Sequence, residues 1–221
     1  MQDLIKQERF EIEVLEKLNS RKFLNNLTFG GGTMLRLCFG LNRYSVDLDF
    51  WLTKKIDKKK LYREIKAYLA GQYVLKDSAD KFYTVLFELK SKDYPRSLKI
   101  EIRKEIKKVK TEQAIAYSRY SNGQVFLKIV SLESMMESKI KAFLDRKEIR
   151  DVFDMEFLIK KGIILSAEKG TLRKLLKEME ILPKRDYTGK LAGVLEPAER
   201  KYYTSENFKI LKSALREKLQ G

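Results

Sequence analysis

The chain has 221 residues, a formal net charge of +16, one cysteine and no histidine. With Cys38 alone and no histidine, a single chain cannot build a Cys/His zinc site, a Ser-His-Asp triad or a Cys-His nucleophile. Acid–base work falls to carboxylates and lysines, and a bound metal must take oxygen ligands, which favours magnesium, manganese or calcium. The positive excess favours a polyanionic partner such as nucleic acid, nucleotide or an anionic surface. No run of roughly 18 apolar residues exists, and the charged N-terminal segment lacks the apolar core of a signal peptide, so a cytoplasmic protein without a membrane span is expected.

In chain order, Ile5, Phe10, Ile12, Leu15 and Leu18 recur at helical spacing, which predicts an opening helix from Gln2 to about Leu18. Leu27-Thr28-Phe29 reads as a short strand running into Gly30-Gly31-Gly32. A short helix from Thr33 to Phe39 follows, and Gly40 can stop it. Asp47 to Leu52 alternates polar and apolar, as a strand does. After a lysine-rich turn, Leu61 to Leu69 is predicted helical. Phe82–Leu89, Ser97–Arg103 and Val125–Val130 read as strands.

Beyond Ser131, a plausible N-cap, the pattern becomes helical: Leu132–Leu144, Ile149–Ile159, Ala167–Met179 and Glu206–Leu219. The expectation is an α+β domain over residues 1–130 and a helical domain over residues 131–221.

The stretch FGGGTMLRLCFGLNRYSVDLDF carries the chemistry. Glycines let the backbone approach a phosphate, the following helix aims N–H groups at it, and Thr33 can add a hydroxyl. Residues two apart on a strand share a face, so Asp47 and Asp49 present two carboxylates side by side. Like charges so placed repel unless a cation sits between them. Carboxylates that bridge two magnesium ions serve in-line phosphoryl and nucleotidyl transfer.

These residues resemble the AbiEii/AbiGii abortive-infection nucleotidyltransferase family, which includes the MenT toxins and belongs to the polymerase-β-like superfamily. The resemblance rests on Gly31, Gly32, Thr33, Leu35 and Arg36, then Arg43, Ser45, Asp47, Leu48, Asp49 and Phe50. It implies a polymerase-β-like domain with a small mixed sheet flanked by helices, followed by a helical C-terminal domain. It also implies a third acid on a neighbouring strand. Glu101 is the candidate, on the polar face of its strand with Lys99 and Arg103; relatives often carry Asp here. The competing reading of Glu101 is an ordinary cross-strand ion pair.

A second block, ESKIKAFLDRKEIRDVFDMEFL, resembles the family's helix with K-h-x-A followed by an Arg-Asp pair. By that resemblance Lys139 and Asp151 are active-site residues, Lys139 as a triphosphate contact, while Asp154 is structural. The resemblance extends from about Leu27 to Leu158, and the last sixty or so residues match nothing recognisable.

The implied activity is a magnesium-dependent (or manganese-dependent) nucleotidyltransferase that moves a nucleoside monophosphate from an NTP to an acceptor hydroxyl. The implied setting is the toxin of a toxin–antitoxin or abortive-infection system, with RNA, specifically tRNA, as acceptor and an antitoxin protein as partner. Asp47, Asp49 and Glu101 would hold metal. Gly31, Gly32, Thr33 and Ser45 would line the nucleotide, with Arg36, Arg43 and Lys139 stabilising charge. Lys54–Lys60 and Arg103, Lys104, Lys107, Lys108 and Lys110 can follow a phosphate backbone, and Tyr44, Tyr94 and Tyr117 are candidates for base stacking. The alternatives are a transferase acting on a protein or small molecule, and a non-catalytic nucleic-acid- or antitoxin-binding module that keeps the fold.

Overall fold

The structure is a computed structural model in which residues 1–220 are described. The chain divides into two compact units: Met1–Gly40 with Tyr44–Val130, and Leu41–Arg43 with Ser131 onward. The tripeptide Leu41–Arg43 belongs with the second unit because Arg43 is ion-paired to Asp154 and bridged to Leu195 there.

The first unit begins with α1 (Gln2–Ser20), whose inner face buries Phe10, Ile12, Val14, Leu15 and Leu18. Strand β1 (Thr28–Gly30) then runs directly into α2 (Gly31–Phe39). Gly40 adopts a left-handed conformation (φ 76°) and returns its N–H to Arg36, which closes α2 as its glycine predicts.

Strand β2 (Asp47–Leu52) carries the aspartates. It is followed by α3 (Lys58–Ala70), capped by the Asp57 carboxylate on the Lys60 N–H. The remaining strands are β3 (Val74–Asp80), β4 (Thr84–Lys90), β5 (Leu98–Ile106), β6 (Thr111–Tyr117) and β7 (Gln124–Val130).

All seven strands form one mixed sheet in the order β3-β4-β5-β2-β1-β7-β6. The β2–β5 and β1–β7 pairs are parallel, and the others are antiparallel. The sheet is larger than the sequence reading anticipates. Both edge strands, β3 and β6, went unpredicted because half-exposed edges carry no apolar stripe: β3 reads VLKDSAD and β6 TEQAIAY. Phe82 and Tyr83, expected to open a strand, sit instead at the exposed tip between β3 and β4.

One sheet face is apolar. Phe29, Leu48, Phe50, Ile100, Ile102, Leu127 and Ile129 are all buried there, at alternate positions along their strands.

The second unit is helical: α4 (Leu132–Arg146), α5 (Ile149–Lys160), α6 (Lys169–Glu180), a π-helical turn (Asp186–Leu191), α7 (Pro197–Glu206) and α8 (Lys209–Gln220). Ser131 caps α4 through its hydroxyl oxygen, which accepts the Ser134 N–H. The terminal helix expected over Glu206–Leu219 is α8, which starts at Lys209, while α7 ahead of it went unpredicted. Asn207 and Phe208 both have positive φ (47° and 60°), so the chain turns and seats Phe208 among Tyr187 and Tyr203. The fully buried Glu156 carboxylate then accepts the Leu211 N–H and caps α8 from another helix.

Candidate active site

The site grows from the β1–α2 junction. Gly30 pairs with Asp49 across the antiparallel β1–β2 ladder, and the next residue opens α2. Gly31 takes φ +77°, and a Cβ there would stand 2.9 Å from Asp49 Cγ. Two demands therefore fall on one residue: a left-handed backbone and room for the Asp49 carboxylate. The first turn of α2 thus lies against that carboxylate.

Thr33, fully buried, donates its hydroxyl to the Asp47 main-chain carbonyl at 2.6 Å. Its proton is committed to holding α2 on β2. Gly32 is buried beside it, and Ser45 is half-buried just ahead of β2.

Asp47 and Asp49 are half-buried on the polar face of β2, while Leu48 and Phe50 are buried on the other. The parallel β2–β5 ladder sets Glu101 directly opposite Asp49, and Lys99 opposite Asp47. Register partners project to one side of a sheet, so Asp47, Asp49 and Glu101 share one face. These are hard oxygen donors of the kind magnesium and manganese take, and the i, i+2 pair on β2 fits such an ion. Among the described residues no three carboxylates or thiols converge on a single point, so Glu101 is in register with the pair without closing on it.

Behind β2 lies a buried polar layer. Arg36 forms an ion pair with Glu8, and its guanidinium carbon stands 3.9 Å from the centroid of the Tyr44 ring. Glu8 also accepts the Ser118 hydroxyl at 2.5 Å. Arg36 and Tyr44, expected to meet nucleotide and base, are 8% and 2% exposed, so both are building material of this layer.

Glu11, one turn along α1, is fully buried, and neither of its carboxylate oxygens has a hydrogen-bond partner among the described residues. Burial first, and then the neighbouring charges of Glu8 and Asp47, push its carboxyl well above the usual carboxylate range. Sequence reasoning missed Glu8 and Glu11. The signal was their spacing with Leu15 and Leu18, which places them in the apolar stripe of α1. Burial pushes the Cys38 thiol up to about 12, away from the thiolate form.

The second block forms a knot of charges inside the helical unit. The Lys139 ammonium lies 3.1 Å from Asp151 and 2.6 Å from Asp154. Arg43 grips Asp154 with two bonds, at 2.6 and 2.7 Å, and Arg146 grips Asp151 with two at 2.8 Å. Both aspartates are fully buried, and Lys139 and Arg43 nearly so. Burial works to raise the Asp154 pKa, but Arg43 and Lys139 overcome it and hold the carboxyl below its ordinary value. Lys139 and Arg43, expected to face phosphate, have their charges met by these aspartates within the unit.

A strand–glycine turn–helix followed by a strand with two carboxylates, and a third acid in register on the next strand, defines a nucleotidyltransferase fold, and solved structures share it. A candidate nucleotidyltransferase of Helicobacter pylori is 22% identical, with 96% of each chain covered and a TM-score of 0.60. JHP933 from Helicobacter pylori is 21% identical, with 93% of this chain and 95% of that one covered and a TM-score of 0.52. The profile described as "Nucleotidyl transferase AbiEii toxin, Type IV TA system" matches residues 13–217, and the chain belongs to this family. No curated protein matches it. The match runs well past Leu158, so the last sixty residues are part of the family's architecture. No helix among the described residues is long and apolar enough to cross a membrane.

Proposed function

We propose that this nucleotidyltransferase-family chain is a magnesium-dependent enzyme that transfers a nucleoside monophosphate from an NTP to a hydroxyl of RNA, with tRNA as the acceptor, and acts as the toxin of a toxin–antitoxin pair. The observation that carries the reading is the register Gly30↔Asp49↔Glu101, which joins a helix N-terminus and three carboxylates on one sheet face.

Asp47 and Asp49 would hold the metal, and Glu101, in register with Asp49, would complete the site. A bound divalent ion supplies charge neutralisation on the phosphate oxygens and a lowered pKa for the attacking hydroxyl. The protein's own groups do the rest. Main-chain N–H groups at Gly31 and Gly32 face the phosphates, and the Thr33 clip keeps α2 and Asp47 in fixed relation. The acceptor oxygen bonds to the α-phosphorus, the bond to the bridging oxygen breaks, and pyrophosphate leaves with its electron pair. The hydroxyl proton passes to the Glu101 carboxylate and on to water. The family resemblance assigns Lys139 and Asp151 to the active site as well, and both lie in the charge knot of the helical unit. The +16 charge suits an RNA acceptor, and the family's Type IV setting suits an antitoxin partner.

The test is incubation with magnesium, each α-³²P-labelled nucleoside triphosphate and total RNA, beside Asp49→Ala. Label on tRNA-sized RNA that needs intact Asp49 establishes the activity and names the nucleotide. Label on protein or a small molecule moves the acceptor, and label nowhere removes the catalytic reading.

A further inference from the structure

The sheet face that carries the acid row extends to the far edge. Through the β1–β7 and β6–β7 registers it also takes in Lys128 and Phe126 of β7, and Gln113, Ile115 and Tyr117 of β6. Ile115 and Phe126 are direct register partners. The outer side chains are unusually apolar for a solvent-facing strand pair: Phe126 is 62% exposed, Tyr117 54% and Ile115 49%. Ala116, Val125, Leu127 and Ile129, on the opposite face of the same strands, are buried and supply all the core this hairpin needs.

The other sequence candidates for stacking are consumed by packing. Tyr44 is buried under Arg36. Tyr94 stacks on Phe10 at 4.5 Å and donates its hydroxyl to Glu13. Tyr117 alone of the three stays open, and it has Phe126 beside it.

Basic residues flank this strip. The Lys107–Lys110 connection leads from β5 to the far edge strand, past β2, β1 and β7. The Lys107 ammonium lies 5.6 Å from the centroid of the Trp51 ring, on the face of Asp49. Lys108 and Lys110 are exposed. Strand spacing puts Phe126 two strands across and about four residues along from Asp49, roughly 15 Å away.

We infer that the outer face of β6 and β7 is a stacking platform for the unpaired bases of a single-stranded RNA segment. Tyr117 and Phe126 take the base faces, and Lys108, Lys110 and Lys128 follow its phosphates. In naming RNA this rests on the acceptor proposed above, and it adds where the strand lies a few nucleotides behind the reacting end. The chemistry favours a nucleic acid over a protein. The apolar island is three side chains set among Gln113, Gln124 and Lys128, much smaller than the core of a stable protein interface. Because it offers flat rings and no dense set of base-reading donors, the platform is tolerant of sequence.

The test is fluorescence anisotropy of a short, unstructured, end-labelled RNA titrated with the full chain at low salt, without metal or nucleotide. Phe126→Ala and Tyr117→Ala should each weaken binding about tenfold, while Phe126→Trp restores it. Both positions are exposed, so thermal midpoints should stay close to that of the parent chain. A double Phe126→Ala/Tyr117→Ala chain that binds RNA as tightly as the parent overturns the proposal. So does a parent chain that binds no RNA; if it self-associates on a sizing column and the double variant does not, the face is a protein interface instead. The binding assay needs no turnover. Stacking that persists in a chain showing no nucleotidyl transfer would remove the transferase reading and leave the platform standing.

Discussion

The two charged regions of this molecule use the same residue types to opposite ends. On β2 and β5, strand geometry forces like charges together: Asp47 and Asp49 are two residues apart, with Glu101 in register beside them, all half-buried. In the helical unit, Asp151 and Asp154 are fully buried, and each is held by two cationic side chains among Arg43, Lys139 and Arg146. The first sets like-charged side chains in register on one sheet face. The second is neutralised from within and holds its unit together. On the proposed reading the sheet carboxylates hold metal, while the knot braces the helical unit around Lys139 and Asp151.

The largest effect expected from breaking this contrast lies on the sheet. Asp49→Ala should cut nucleotidyl transfer by at least about a thousandfold, since on the proposed reading it removes a metal ligand, while leaving the thermal midpoint near that of the parent. A large loss of stability with it would place Asp49 among the scaffold groups.

Lys139→Met should do the reverse. It strands two buried aspartates with one cation fewer and should cost about 3–5 kcal/mol in urea unfolding. If stability holds and only transfer is lost, Lys139 belongs with the chemistry, as the family resemblance has it. The same knot has an acid limit. Asp154 has a folded pKa below its unfolded value near 3.8, so its contribution is present above that pH and is lost as pH falls through the folded value. Asp154→Asn should be less stable at neutral pH and show a flatter acid limb.

Gly31→Ala should cost about 1–3 kcal/mol and displace the Asp49 carboxylate, lowering transfer as well. Gly40→Ala has a similar φ but nothing within 4 Å of the added Cβ, so it should carry the backbone strain alone and leave transfer intact.

The smallest effect concerns Glu11. Its folded pKa is raised, so the parent chain loses stability as pH rises above the unfolded value near 4.5. Glu11→Gln should remove that slope, making the variant relatively more stable at neutral pH in pH-dependent thermal melts. A parallel pair of pH profiles would show that Glu11 is charged in both states.

Much of the candidate site's local geometry could be read before folding. The spacing of Asp47 and Asp49, the glycine turn and the alternation around Glu101 are local properties of strands and turns, which backbone geometry fixes without long-range help. The charges of the second block were legible as residues but not as partners. A lysine within the apolar stripe of α4, as Lys139 is, must either snorkel or meet an anion. That the anions are Asp151 and Asp154, with Arg43 arriving from more than a hundred residues away, depends on packing of distant segments. The edge strands β3 and β6 were illegible for a related reason: their hydrogen bonding comes from neighbours, and their own side chains carry little of the pattern.

The sequence by itself determined the chemistry available to this protein. Without histidine and with one thiol, it must work with oxygen donors and cationic side chains, and the DLD strand after a GGT turn points those donors to one face. Tertiary structure decided which charges remain at that face. It put Glu101 beside Asp49, withdrew Arg36, Arg43 and Lys139 into buried pairs, and left Phe126 and Tyr117 open on the far strands. The division has a physical cause. Side-chain direction along a strand follows from the local chain, but burial and partnership are set by whatever the rest of the chain brings alongside.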